Sequence, residues 1–139
     1  MAEKKAVFSA EEKAAMRAAA AEAKRAGNAA AMKADCLAAI KKMSPQDREL
    51  AEAVHALVSK IAPQLQPKTW YGMPAYALND KTVIFFQESG KFKARYSTLG
   101  FSEHAKLDEG NFWPTSYALL KLNKKIESEI AALIRKAIG

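Results

Sequence analysis

One cysteine, two histidines, six glycines and five prolines in 139 residues leave little room for several familiar chemistries. Cys36 alone cannot close an internal disulfide, and no Cys and His stand at zinc-ligand spacing. A structural zinc centre is therefore disfavoured and a reducing, intracellular setting expected. Nowhere does the chain approach the ~18 apolar residues of a membrane span, and Met1-Ala2-Glu3-Lys4-Lys5 has no apolar secretory core. A cytoplasmic protein with no membrane association is the expectation. Basic charge is not concentrated either: the net +7 divides into roughly +4 over residues 1–43 and +3 over 44–139. A nucleic-acid footprint needs a clustered basic stripe, so nucleic acid is disfavoured as a partner.

What is present is enough chain for one domain, able to bury about two-thirds of its unfolded surface. Alanine accounts for 17 of the first 43 residues, so bulk for a core comes mostly after Ser44. Ser9 followed by Glu12 has capping-box spacing, and helix formers run on to Gly27, predicting a first helix over 10–26. Its apolar side is Ala with only Met16 for bulk, which predicts weak docking. Ala29, Met32, Cys36, Ile40 and Met43 recur at helical steps and give a second helix over 29–42. Ser44-Pro45-Gln46-Asp47 restarts the chain as N-cap, Pro at the first helical position and an acid in the first turn. The third helix then carries Leu50, Val54, Leu57, Val58, Ile61 and Leu65, and Pro63 and Pro67 end it.

After Pro67 the period falls to two and β-branched and aromatic residues replace Ala. Strands are predicted over 68–71, 75–78, 82–87, 92–98 and 115–121. Asn79-Asp80 and Glu88-Ser89-Gly90-Lys91 supply turns between antiparallel neighbours. Over 91–96 the alternation puts Lys91, Lys93 and Arg95 on one face and Phe92, Ala94 and Tyr96 on the other, separating charge from rings. In the 99–114 connection, Phe101, Phe112 and Trp113 are expected to anchor the loop to the sheet. Asn123 caps a last helix over 124–138 with Ile126, Ile130, Leu133, Ile134 and Ala137 inward. The order is N-terminal helices, an antiparallel sheet of about five strands, then a C-terminal helix: an α+β fold.

Lys68-Thr69-Trp70-Tyr71-Gly72-Met73-Pro74-Ala75-Tyr76, then Phe85-Phe86, Leu99-Gly100-Phe101 and Trp113-Pro114-Thr115, resemble the motifs of the YdhG-like family of small bacterial α+β domains. The match is strongest over 44–139, and Ser9 to Met43 is similar to the N-terminal extension of one subgroup, so that 1–43 is expected to be an Ala-rich helical extension packed on or next to the domain. The resemblance implies that fold and, for some members, a frataxin-like role as iron chaperone. Residues 91–96 here lack the His that many relatives carry, and the chain is basic where frataxin-type iron binding uses an acidic ridge.

The densest cluster is Trp70 to Tyr76, where bulky rings flank a Gly free in φ and a Pro without N–H. Two readings are open: rings that fill the core, or a cleft that binds a small molecule or a protein partner. In the second, Trp70, Gly72, Met73, Pro74 and Tyr76 form one wall, with Phe86, Arg95 and Trp113 opposite. The alternative is iron binding or delivery through Glu103, His104, Asp108 and Glu109, whose spacing fits no metal motif. Apart from that possible iron, no cofactor is expected. Neither an activated nucleophile nor an acid–base pair can be assembled, so an enzyme is disfavoured. Either a monomer or a homodimer is compatible with the sequence.

Overall fold

Each of the four helices of the protein starts at a residue suited to begin one, in a computed structural model that describes residues 7–139. The Met1-to-Lys5 segment lies outside the described residues. Helix α1 (Ala10–Arg25) carries the full capping box, Ser9 Oγ accepting from Glu12 N–H and the Glu12 carboxylate from Ser9 N–H. Asn28 caps α2 (Ala29–Lys41) and Asn123 caps α4 (Lys124–Ile138), each accepting from the backbone three residues on. Helix α3 (Pro45–Ile61) starts with Pro45 as expected, yet the Ser44 side chain makes no cap hydrogen bond.

The sheet is an antiparallel meander, β1 (Gln66–Trp70), β2 (Met73–Leu78), β3 (Lys81–Gln87), β4 (Ser97–Phe101) and β5 (Ser116–Leu119), in chain order. Tyr71 and Gly72 form the β1–β2 turn with φ of 52° and 82°, and Asn79 and Asp80 the β2–β3 turn with 51° and 66°. Two successive positive φ values are what a two-residue hairpin needs to match strand twist. Pro74 stands inside β2 opposite Thr69, but pairing with β3 begins only at Ala75. No ladder donor towards β3 is therefore missing. The register shifts after Tyr76, leaving Val83 without a partner, and Val83 and Ile84 both enter the core.

Helices cover one face of the sheet. Tyr76, Ile84, Phe86, Leu99 and Phe101 of that face join Cys36 and Ile40 of α2, Val54 and Val58 of α3, and Ile130 and Ile134 of α4 in a single buried cluster. Each wholly buried Ile, Leu or Phe stabilises by about 1.5–3 kcal/mol relative to exposure. The segment before residue 44 thus contributes to the core through α2. Helix α1 has no buried residue, and its Met16 is 43% exposed.

The fourth expected strand, 92–98, is displaced along the chain to Ser97–Phe101. Residues 88–96 form turns, with Lys93 at φ 52°, and the strand begins at Ser97. Asp47 is the cause: buried at 3% exposure, its carboxylate accepts from Gly90 N–H at 2.9 Å, Ser89 Oγ at 2.8 Å and Ser97 Oγ at 3.2 Å. These partners, 42 to 50 residues distant, fold the segment onto the start of α3. The separation of charge from rings disappears with that displacement. Lys91 Nζ lies 5.7 Å from the Phe92 ring centre and the Arg95 guanidinium 5.2 Å from that of Tyr96. In the loop after β4, Ala105 and Leu107 are the buried anchors and Trp113 is half-buried, whereas Phe112 is 94% exposed.

Candidate functional site

Hairpin register decides what residues 70–76 can do. Trp70 pairs with Met73, and Ala75 with Phe85, so these four share the sheet face away from the helices. Pro74 and Tyr76 alternate to the helix side, as does Phe86. Trp70 stands 5.2 Å from Phe85 and 5.3 Å from Tyr71, centre to centre, forming a half-exposed aromatic group. Tyr76 and Phe86 are each 1% exposed in the core. The expected wall of Trp70, Met73, Pro74 and Tyr76 is thus split between two faces, because a strand sends neighbouring side chains in opposite directions. Arg95 is exposed on the 88–96 loop, Trp113 packs at the other end of the sheet, and Gly72 lies at the hairpin tip.

Tyr76 belongs to a polar chain inside the core. Its hydroxyl lies 3.0 Å from Nδ1 of His55 on α3, and Cys36 of α2 is buried in the same cluster. Burial pushes the Cys36 thiol up to about 11 and the Tyr76 phenol well above its ordinary value. Both stay protonated, so neither is a nucleophile at neutral pH. His55 is held below its ordinary 6.5, first by burial and then by the Lys33 charge. The unfolded chain therefore takes up the proton first, and stability falls as pH drops below about 6.5. Replacing His55 by Gln should flatten the stability profile between about pH 7 and pH 5, as followed by urea denaturation.

One sizeable cavity was not foreseen. A cleft of about 870 Å³ opens between β5 and α4, lined by Leu99, Tyr117, Leu119, Ile126, Ile130 and Leu133. Gln46, Lys121, Glu129 and Lys136 also border it, with Ala132 on the α4 side. Ile126 and Leu133 were expected to point inward, and they do so only partly, leaving apolar surface open. The one available signal was their place on the α4 stripe.

A second groove of about 690 Å³ runs between α1, α2 and the β1–β2 turn, bordered by Glu22, Arg25, Asp35, Lys42, Glu88 and Lys91. Within it the Glu22 carboxylate accepts from Tyr71 N–H at 3.0 Å and from Gly72 N–H at 2.9 Å. Arg25 forks onto Asp35 with bonds of 2.8 and 2.9 Å.

Residues proposed to hold iron do not converge. Glu103 and Asp108 border a third cavity of about 490 Å³, Glu109 is bound by Lys136 at 2.5 Å, and His104 approaches only Glu103, at 3.8 Å. Among the described residues no group of three or more His, Cys, Asp or Glu side chains is placed to hold a metal ion. No helix among them is long and apolar enough to cross a membrane. Comparison of the chain with protein-family models, with curated proteins and with solved structures finds no match.

Proposed function

We propose that the protein binds a small molecule with an elongated apolar body and an anionic end, in the cleft between β5 and α4. The observation that carries this reading is the cleft itself. Its volume falls within the roughly 300–1,000 Å³ of ligand pockets, and its lining matches their mostly apolar character. Leu99, Tyr117, Leu119, Ile126, Ile130 and Leu133 would enclose the apolar body. At the border, Lys136 is already engaged by Glu109, whereas Lys121 has no ion-pair partner among the described residues, which makes Lys121 the group for the anion. Resemblance to YdhG-like domains supports the architecture and names no ligand for this cleft.

Decanoate and decanol serve as probes, followed through amide shifts of Tyr117, Ile126 and Leu133. Decanoate should bind saturably and Ala132→Trp, at an exposed position bordering the cleft, should weaken it about tenfold, equivalent to ~1.4 kcal/mol. Lys121→Glu should weaken decanoate more than decanol. Equal affinity in wild type and Ala132→Trp, or shifts that never saturate, would refute the assignment.

A further inference from the structure

We propose that the Tyr71–Gly72 turn is a carboxylate-binding site, filled in this structure by the protein's own Glu22. It is separate from the β5–α4 cleft and does not depend on it. Both turn residues have positive φ, 52° and 82°, and their two N–H groups point to one acceptor. Successive backbone N–H groups in such a turn form a concavity for an anion. Each N–H takes a different oxygen of Glu22, at 3.0 Å to Oε1 and 2.9 Å to Oε2. That fork matches the planar, two-oxygen shape of a carboxylate.

Gly72 suits the turn by its φ of 82°, and its surroundings are close. A methyl built on it would stand 3.0 Å from Lys91 Nζ and 3.5 Å from Ala18 Cβ. The turn is therefore pressed between a cation and the small-residue side of α1. Around the groove three cations, Arg25, Lys42 and Lys91, face three carboxylates, Glu22, Asp35 and Glu88. Withdrawing Glu22 leaves one positive charge in excess. The vacated place suits one monoanionic group.

Helix α1 is built to be displaced. It buries no residue, its side towards the domain is mostly Ala, and Gly27 at φ 84° follows it at once. Besides the Glu22 bonds it is tied by the Arg25–Asp35 pair, whose side chains are 45% and 34% exposed. Exposed ion pairs of this kind hold only weakly. Tyr71 adds a reason to expect a ligand at the turn. An aromatic residue in the left-handed region is strained and tends to be kept where the conformation is used. Its ring, 45% exposed beside Trp70, would give a ligand carboxylate an apolar neighbour.

The test uses the full chain, wild type and Glu22→Ala, titrated with acetate at constant ionic strength set by chloride, with inorganic phosphate as a second arm. In Glu22→Ala the Tyr71 and Gly72 amide resonances should shift saturably with acetate. Half-saturation should need about tenfold less acetate than in wild type, where Glu22 competes from within the molecule. Resonances of Val54 and Ile84 should stay in place, showing the core intact. Absence of saturable shifts in Glu22→Ala, equal behaviour of the two chains, or saturation by phosphate and not by acetate would each overturn the proposal.

Discussion

Asp47→Ala should lower stability by about 2–3 kcal/mol, because it removes a charged acceptor and leaves three donors without it, Ser97 among them buried. Gly90 N–H and the Ser89 and Ser97 hydroxyls all lose the same carboxylate. Urea denaturation should show a lower midpoint and the unpinned amides of 88–96 should exchange faster. Asp47→Asn keeps the shape and loses the charge, so its cost should be smaller. Burial of the carboxyl would raise its pKa, but hydrogen bonds from Gly90, Ser89 and Ser97 outweigh it, and the value lies below the ordinary 3.8. The sign follows: the unfolded chain binds the proton first, so the stabilisation is present above about pH 4 and is lost as pH falls through the folded value. In Asp47→Ala that acid-side loss should vanish. A cost below about 1 kcal/mol would mean that something other than this carboxylate holds the loop.

Gly100→Ala should also cost about 1–3 kcal/mol, for a steric reason. A methyl at Gly100 would fall 2.1 Å from Phe85 Cζ, with Cε2 and Cε1 at 2.5 and 2.6 Å, because the Phe85 ring lies against the β4 backbone. The ring must move. With Trp70 5.2 Å away, its displacement should alter tryptophan emission. Phe85→Ala supplies the control. In that background the methyl has room, and Ala is favoured over Gly within a strand by roughly 0.5–1 kcal/mol. The same substitution should then become neutral or stabilising, and a double-mutant cycle should return a coupling above about 1 kcal/mol. Additive effects would show that Phe85 and Gly100 are independent.

Helices were legible because their signals are local. Ser9 with Glu12, Pro45 after Ser44, and the stripe Leu50, Val54, Val58 each lie within one or two turns, and the structure follows them. Asn79-Asp80 declared its turn equally well. Tyr71-Gly72 did not, since Tyr is disfavoured at positive φ and the eye falls on Pro74 instead. Residues 91–96 misled for a different reason. Their alternation of charge and ring has strand period, but Asp47 imposes turns from 42 or more residues away, and no window along the chain contains both partners. The candidate wall at Trp70 and Tyr76 failed on parity once the two-residue turn set the register. Its rings go separate ways, Tyr76 into the core and Trp70 against Phe85 on the opposite face. The β5–α4 cleft was illegible because an open cavity depends on how far a helix sits from an edge strand, a distance that hydrophobic spacing does not encode.

Strand order that repeats chain order bears on how quickly this molecule finds its shape. Every rung of the meander joins strands consecutive along the chain, so little loop-closure entropy is spent before pairing rewards it. Mixed helix-and-sheet domains fall between helical bundles, which fold in roughly microseconds to milliseconds, and sandwiches with remote pairings, which need up to seconds. The longest loops to close are those that bring α4 onto α3 and Asp47 onto residues 89–97, and the same entropy argument places these contacts after the hairpins.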